Sequence, residues 1–271
     1  MRRRIAVGIE YQGGAYSGWQ IQSAAPSLQG ALETALSRIA NEPIGLICAG
    51  RTDAGVHARA QVAHFDTQAV RASRAWLLGA NNYLPADISL LWVRAVPDHF
   101  NARYSALTRT YRYLILNRSA RSALAAGRAL LVHQGLDVAA MQQGANWLIG
   151  EHDFSAFRSS ECQSHSAVRQ LRAVRVRRSG DWVSIDVSAN AFLHHMVRNI
   201  AGLLLAIGMG REPPERARIQ LESRSRGQGE ATAAALGLYL WQVEYPPEFG
   251  LPELGLAADS AMIAAAVGRG E

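Results

Sequence analysis

Gly50-Arg51-Thr52-Asp53-Ala54-Gly55-Val56-His57-Ala58 sets one carboxylate two residues after an arginine, between glycines, in a loop that leaves an apolar strand over 44–49. A loop at the end of a strand is where a rigid scaffold commonly presents a reactive group. Glycine there lets the backbone turn sharply and lets a ligand approach. An Asp beside a fixed guanidinium stays ionised, because a nearby opposite charge favours the charged form. The same residues also describe a plain turn in which Asp53 caps a neighbouring amide. The rest of the chain decides between the two.

Outward from this loop, the pattern is α+β. Ile5, Val7, Ile9 and Tyr11 alternate with smaller or polar residues and predict a strand. Gly13-Gly14 and Gly18 follow in a turn-rich stretch ending at Trp19, and Ser27 is placed to cap a helix running to about Asn41. Leu28, Leu32, Ala35, Leu36 and Ile39 form the buried stripe of that helix. Strands are expected at about 44–49, 61–66, 89–96 and 109–116, with a helix near 71–80. The second half predicts a helix at about 137–149 and strands at 168–177 and 182–188 joined at Ser179-Gly180-Asp181. An apolar helix follows at 193–208, then a short helix near 214–222 and a last strand near 238–243. The expected division is an N-terminal half over 1–105 carrying the Asp53 loop, a C-terminal half over 106–252, and an Ala/Gly-rich flexible tail over 253–271.

Composition narrows the function classes. No run of about eighteen uncharged apolar residues predicts a membrane span. Met1-Arg2-Arg3-Arg4 is basic, but Ile5 to Tyr11 contains Glu10 and reads as a strand instead of a signal-peptide core. Cys48 and Cys162 are two distant cysteines, which suits reduced thiols in the cytoplasm better than a disulfide framework. The net charge is +6, and every one of the 28 basic Lys/Arg positions is Arg. A base-composition bias explains the missing lysines but not the positive excess. Arginine grips phosphate bidentately and stacks on bases, so nucleic acid is the leading partner class.

Neither a dinucleotide-binding nor a nucleoside-triphosphate glycine loop is present. His194-His195 lacks the spacing of a helical metal pair, since adjacent residues of a helix point in different directions, so no metal and no cofactor is expected. Four further segments carry chemistry. Phe100-Asn101-Ala102-Arg103-Tyr104-Ser105-Ala106 pairs an arginine with two aromatics. Arg109-Thr110-Tyr111-Arg112-Tyr113 puts both tyrosines on one side of a strand and Arg112 on the other. Phe154-Ser155-Ala156-Phe157-Arg158 precedes a polar loop, Glu161-Cys162-Gln163-Ser164-His165. Asn190 to Ile200 opens the apolar helix with Arg198 near its buried stripe, where a charge requires a partner, and Asp53 is the candidate carboxylate.

Taken together these motifs resemble the TruA family of tRNA pseudouridine synthases over about 5–252, with Ala49 to Ala58 matching the family's nucleophile motif. Gly8-Ile9-Glu10-Tyr11 with Gly18-Trp19-Gln20, Phe100 to Ala106, Arg109 to Tyr113 and Asn190 to Asn199 recur in the family's order. Asn101 and Arg109 depart from it, standing where the family often has His and Lys. The resemblance implies the pseudouridine synthase fold, two α/β halves with a mostly antiparallel central sheet flanked by helices. It implies isomerisation of uridine to pseudouridine at positions 38, 39 and 40 of the tRNA anticodon stem-loop, by a homodimer that contacts the stem-loop and elbow.

By the same resemblance Asp53 is the nucleophile, attacking C1′ or C6 or acting on the sugar. Arg198 is its paired cation, Tyr111 stacks on the target base and assists proton transfer at C5, and Arg51 enters the stem to help flip the nucleotide. Arg71, the segment Phe100, Asn101, Ala102, Arg103 and Tyr104, and the loop Glu161, Cys162, Gln163, Ser164 and His165 are the expected further RNA contacts. Two other classes compete: a catalytically silent tRNA-binding protein, which would lack the nucleophile, and an Asp-dependent glycosidase, which would usually carry a second catalytic carboxylate.

Overall fold

The computed structural model describes residues 2–162 and 164–252. In chain order the elements begin with β1 (Arg3–Tyr11), α1 (Leu28–Ala40), β2 (Ile47–Cys48), β3 (His57–Thr67), α2 (Ser73–Tyr83) and β4 (Ile88–Val96). There follow β5 (Thr108–Asn117), β6 (Leu130–Val132), α3 (Val138–Asn146), β7 (Gly150–Asp153), β8 (Val168–Ser179) and β9 (Trp182–Ala189). The last elements among the described residues are α4 (Met196–Gly208), α5 (Arg216–Ser223) and β10 (Leu238–Glu244), and five single-turn 3-10 segments of those residues punctuate the connections. The described residues divide into two compact units, the first over 2–108 and 239–252 and the second over 109–238. The expected tail, 253–271, lies outside the described residues.

In the first unit β1 is central. It pairs antiparallel with β4 on one side and with β3 on the other, and β10 adds in parallel to β3 at Tyr239↔His57. Its alternation serves two faces. Ile5 pairs with Phe65, whose ring meets Trp76 of α2 edge-on at 5.2 Å, so this face is covered by helix. On the other face Ala6 and Val62 pack with Phe100, Ala102 and Phe249. Ser27 caps α1 as its composition requires, accepting the Gly30 amide at 3.2 Å, and Asn41 closes the helix in the left-handed conformation. The strand expected over 44–49 is reduced to the two residues of β2, while β3 starts at His57, earlier than its apolar run suggests. The reason is pairing: β3 follows β1 to Tyr11↔Ala58, a constraint that polar His57 and Arg59 do not advertise.

The second unit repeats the antiparallel theme, with β9 between β5 and β8, β7 at the outer side of β8, and β6 parallel to β5. Across the β5–β9 pair, Arg112 faces Asp186 and the two form a bidentate ion pair at 2.6 and 2.9 Å, both nearly buried. A buried charge pair of this kind persists because both nitrogens of the fork are matched by both carboxylate oxygens. Helix α4 is buried along nearly its whole length, from Met196 to Gly208. The expected helical start at 193 is not observed: His195 takes a left-handed φ of 62° and the helix begins only at Met196.

Within α4, Gly202 is fixed by packing. A Cβ built there would stand 2.1 Å from the Ala231 carbonyl oxygen, a backbone atom that cannot step aside. Gly to Ala in a helix interior ordinarily stabilises by about 1 kcal/mol, whereas overpacking against a rigid neighbour costs about 1–3 kcal/mol. Gly202→Ala is therefore expected to destabilise, read as a lower midpoint in urea unfolding; a higher midpoint would show that the 231–233 segment yields.

Candidate active site

The first unit holds the Asp53 loop from both sides. Beneath it, the Tyr11 hydroxyl shares a hydrogen bond with the Thr52 hydroxyl at 2.8 Å, and Gln61 Nε2 donates to the Gly50 carbonyl at 2.7 Å. Beside it, the Trp19 amide donates to the Thr52 carbonyl at 2.9 Å, and the Val56 amide donates to the Asp53 carbonyl at 3.1 Å. The glycine-rich stretch after β1 now has a physical cause. Gly18 runs at φ +95° with its α-carbon so close to the loop that a Cβ would lie 2.8 Å from the Thr52 oxygen. At Gly13 a Cβ would collide with the Val56 carbonyl at 1.9 Å, and its amide donates to His57 Nδ1 at 3.1 Å. His57 in turn stacks on Tyr239 of β10 at 4.7 Å. Asp53 itself is half-buried and Arg51 exposed.

The Phe100–Ala106 segment divides by burial. Phe100 and Ala102 have no exposed surface, so their side chains belong to the core and the expectation that they contact RNA is corrected. Phe100 lies against Tyr245 and Phe249 with ring centroids 5.3 and 5.0 Å away. Asn101 works as a turn cap: its Oδ1 accepts the amides of Arg103 and Tyr104 at 2.9 and 3.1 Å. That turn projects Arg103 and Tyr104 outward, the tyrosine 77% exposed with the guanidinium 5.4 Å from its ring centre. Arg4 anchors the segment, forking onto Asp66 at 2.7 and 2.8 Å and donating to the Phe100 carbonyl at 2.9 Å. Arg71 is exposed, with Nη1 donating to the Val70 carbonyl.

In the second unit Tyr111 is largely buried, its ring meeting Phe192 edge-on at 5.1 Å. Arg198 is tied to the 233 position twice, its Nε donating to the Ala233 carbonyl at 2.8 Å and its own carbonyl accepting the Ala233 amide at 3.1 Å. The two histidines precede α4 instead of lying on it. Their rings are 4.0 Å apart, so the expectation that they diverge as helical neighbours is corrected. Of the polar loop, Glu161 and His165 are exposed and Cys162 is a half-buried free thiol. Ser164 donates to the Ser166 carbonyl and accepts Arg169, and Gln163 lies outside the described residues.

A model of the tRNA pseudouridine synthase family matches residues 8–105 and 145–246. A protein named tRNA pseudouridine synthase A from Methylococcus capsulatus is 53% identical over 92% of this chain and 92% of its own. The protein of that name from Nitrosococcus oceani is 52% identical over 93% of this chain and 97% of its own. The chain belongs to the tRNA pseudouridine synthase A family. A Pseudomonas aeruginosa relative, 53% identical over 92% of this chain and 88% of its own, carries the same name. Members of this family are isomerases acting on tRNA, and the α+β fold with mostly antiparallel strands and flanking helices is the fold expected of one. Among the described residues no helix is long and apolar enough to cross a membrane.

The sequence singles out the Asp53 loop but not its support: Tyr11, Gly13, Thr52 and His57 hold it through polar atoms that a hydrophobic pattern does not reveal. Two buried groups nearby have altered protonation. Burial pushes the Cys48 thiol up to about 12, which leaves it protonated at neutral pH. Burial, helped by the Arg4 charge, depresses His64 from 6.5 to about 4, and its Nδ1 accepts the Ala102 amide at 3.1 Å. The neutral ring is the folded form. As the pH falls below 6.5 the unfolded chain takes up the proton first, so the contribution present at neutral pH is lost between about 6.5 and 4. From pH 7 to 5 the loss is about 2 kcal/mol. Urea unfolding should show His64→Asn, which keeps an acceptor for Ala102, less pH-sensitive than wild type by that amount; equal slopes would overturn the assignment.

Proposed function

We propose that this protein converts uridine to pseudouridine at positions 38, 39 and 40 in the anticodon stem-loop of tRNA. The observation that carries the reading is the Asp53 loop, a carboxylate in the family's nucleophile motif on a loop hydrogen-bonded through the Thr52 hydroxyl to β1 and through its backbone to the Gly13–Trp19 stretch. Pre-set geometry of this kind reduces the reorganisation required when the substrate arrives. Asp53 is assigned as nucleophile, attacking C1′ or C6 or acting on the sugar, and Arg198 as the cation that keeps it ionised. Tyr111 is assigned to stack on the target base and to assist proton transfer at C5. Its half of the assignment is supported by the fixed, edge-on Phe192 contact, which orients the ring.

Arg51, exposed two residues before Asp53, is assigned to enter the stem when the nucleotide flips. Arg71, Arg103 and Tyr104 offer exposed cationic and stacking groups for the RNA, and the loop over 161–165 is assigned further backbone contacts. The protein acts, in this reading, as a cytoplasmic homodimer gripping the anticodon arm and the elbow, with shape and phosphate rather than base sequence as the recognised features.

Carbodiimide mapping of unmodified tRNA after incubation with enzyme tests the assignment. Wild type should give pseudouridine stops in the 38–40 interval, Asp53→Asn none, with the variant melting like wild type. Pseudouridine surviving in the variant would overturn the nucleophile, and release of free uracil by wild type would favour the glycosidase reading.

A further inference from the structure

In the second unit a pocket of about 500 Å3 opens between the 155–160 segment, the start of α4 and the 224–232 segment. That volume is ample for a phosphate with its attached ribose. Three guanidiniums line it, Arg158, Arg224 and Arg226, and among the described residues none of the lining groups is acidic. The carboxylate nearest in bonding terms is Asp153, 3.8 Å from Arg224 Nε and held ionised chiefly by the Ser155 hydroxyl. It offsets one of the three positive charges. Two remain, on a polar wall that also carries Ser159, Thr232 and His195.

The pocket is built, not incidental. Asn199 is 1% exposed and spends its whole side chain on the wall. Its Nδ2 donates to the Phe157 carbonyl at 2.7 Å, beside Arg158, and its Oδ1 accepts from the Thr232 hydroxyl at 2.6 Å and from Arg226 Nη2 at 3.1 Å. The same Nη2 donates to the Glu230 carbonyl at 2.9 Å and to Thr232 Oγ1 at 3.0 Å. One nitrogen thus fixes the plane of the Arg226 guanidinium, and among the described residues its other N–H groups have no hydrogen-bond partner. Gly229 permits this placement, since a Cβ there would stand 2.5 Å from Arg226 Nη1. A pre-oriented fork with unused donors and a two-charge surplus matches the planar, bidentate geometry by which arginine binds phosphate oxygens.

We propose that this pocket seats one backbone phosphodiester of the substrate RNA, held by Arg226 and Arg158 with Arg224 closing the exposed side, a proposal that rests on the tRNA reading above. The location favours RNA over a free anion as the source. His195 on its wall lies three residues before Arg198, and Ser159 leads into the 161–165 loop already assigned to RNA, so a strand of backbone at either place passes the pocket.

Filter binding of unmodified tRNA to the full-length protein across about 0.05–0.3 M salt tests this, because each lost phosphate contact lowers the salt slope by about one. Arg158→Gln with Arg224→Gln should lower the slope by about one, as one phosphate contact requires, and weaken binding about tenfold at physiological salt. Arg226→Lys should weaken binding with little change of slope, since the charge stays and the fork is lost. Thermal melts of both variants confirm that they fold, and the double variant alters only partly exposed side chains, so it keeps the test open if Arg226→Lys is unstable.

An unchanged slope and affinity in the double variant overturns the proposal. Inorganic phosphate that binds wild type and not the double variant by calorimetry, with tRNA affinity unaltered, assigns the pocket to a free phosphate and also overturns it. The two readings fail separately: a wild type that makes no pseudouridine yet loses slope on substitution overturns the catalytic assignment and supports the pocket.

Discussion

Thr52 is the residue through which the sheet of the first unit reaches the reactive loop. Its hydroxyl is shared with Tyr11 at the end of β1, and its carbonyl receives the Trp19 amide. The Tyr11 hydroxyl also accepts Gln61 Nε2 from β3 at 3.4 Å, and that same nitrogen donates to Gly50. Gly50 and Thr52, on the approach to Asp53, are therefore held by Gln61 and Tyr11, side chains whose own direction is set by strand register. A strand alternates faces with a period of two, so a one-residue slip of β1 would turn Tyr11 away from the loop while also moving Ile5, Val7 and Ile9 onto the face that small Ala6 now fills. The burial of those apolar residues and the placement of the carboxylate are one constraint, enforced by the hydrophobic core.

The second unit solves the same problem with buried polar networks. Arg112 and Asp186 pair across β5 and β9 on the face opposite Tyr111, which locks the registration of the strand that carries the tyrosine. Tyr113, two residues on, donates its hydroxyl to the Ala234 carbonyl, and Arg198 is bonded to Ala233 in both directions. Burial holds the Tyr113 phenol protonated well above its ordinary range, so it remains a donor to that carbonyl. The 233–234 segment thus joins β5 to the first turn of α4. Side chains assigned to chemistry sit between residues whose only role is to be held.

Much of this was legible in the sequence, for reasons that differ by element. Helix α1 was readable at both ends because a capping serine and a left-handed asparagine bracket an apolar stripe with helical spacing. Strands β4, β5, β8 and β9 were readable because one or both faces are apolar and turn-forming residues mark their ends: Pro97 after β4, Asn117 closing β5 and Gly180 between β8 and β9. The extent of β2 and β3 was not, since backbone pairing with β1, and not side-chain pattern, decides where they start and stop. Nor was the parallel return of β10 to β3, a contact between residues 57 and 239 that no local rule encodes. For the candidate site, residue type and spacing single out Asp53, while Arg51 and Tyr111 take their proposed roles from the family resemblance. Phe100 misled because an aromatic beside an arginine reads alike whether it faces a base or a core, and only its burial separates the two.

The arginines show the same ambiguity resolved by geometry. A surplus of positive charge with no lysine suggests phosphate binding, yet Arg4 and Arg112 spend both edges of their forks on Asp66 and Asp186. Those two hold strands together, and a lysine could not replace them, because a point charge cannot match two carboxylate oxygens in a plane. Exposed Arg51 and Arg71 in one unit and the pocket around Arg226 in the other are guanidiniums with no such carboxylate fork, and they are where the proposed RNA contact would fall. The net charge of +6 is therefore an average over two populations. Salt dependence will report only the second, since the paired guanidiniums are screened by their own carboxylates before any counterion is released.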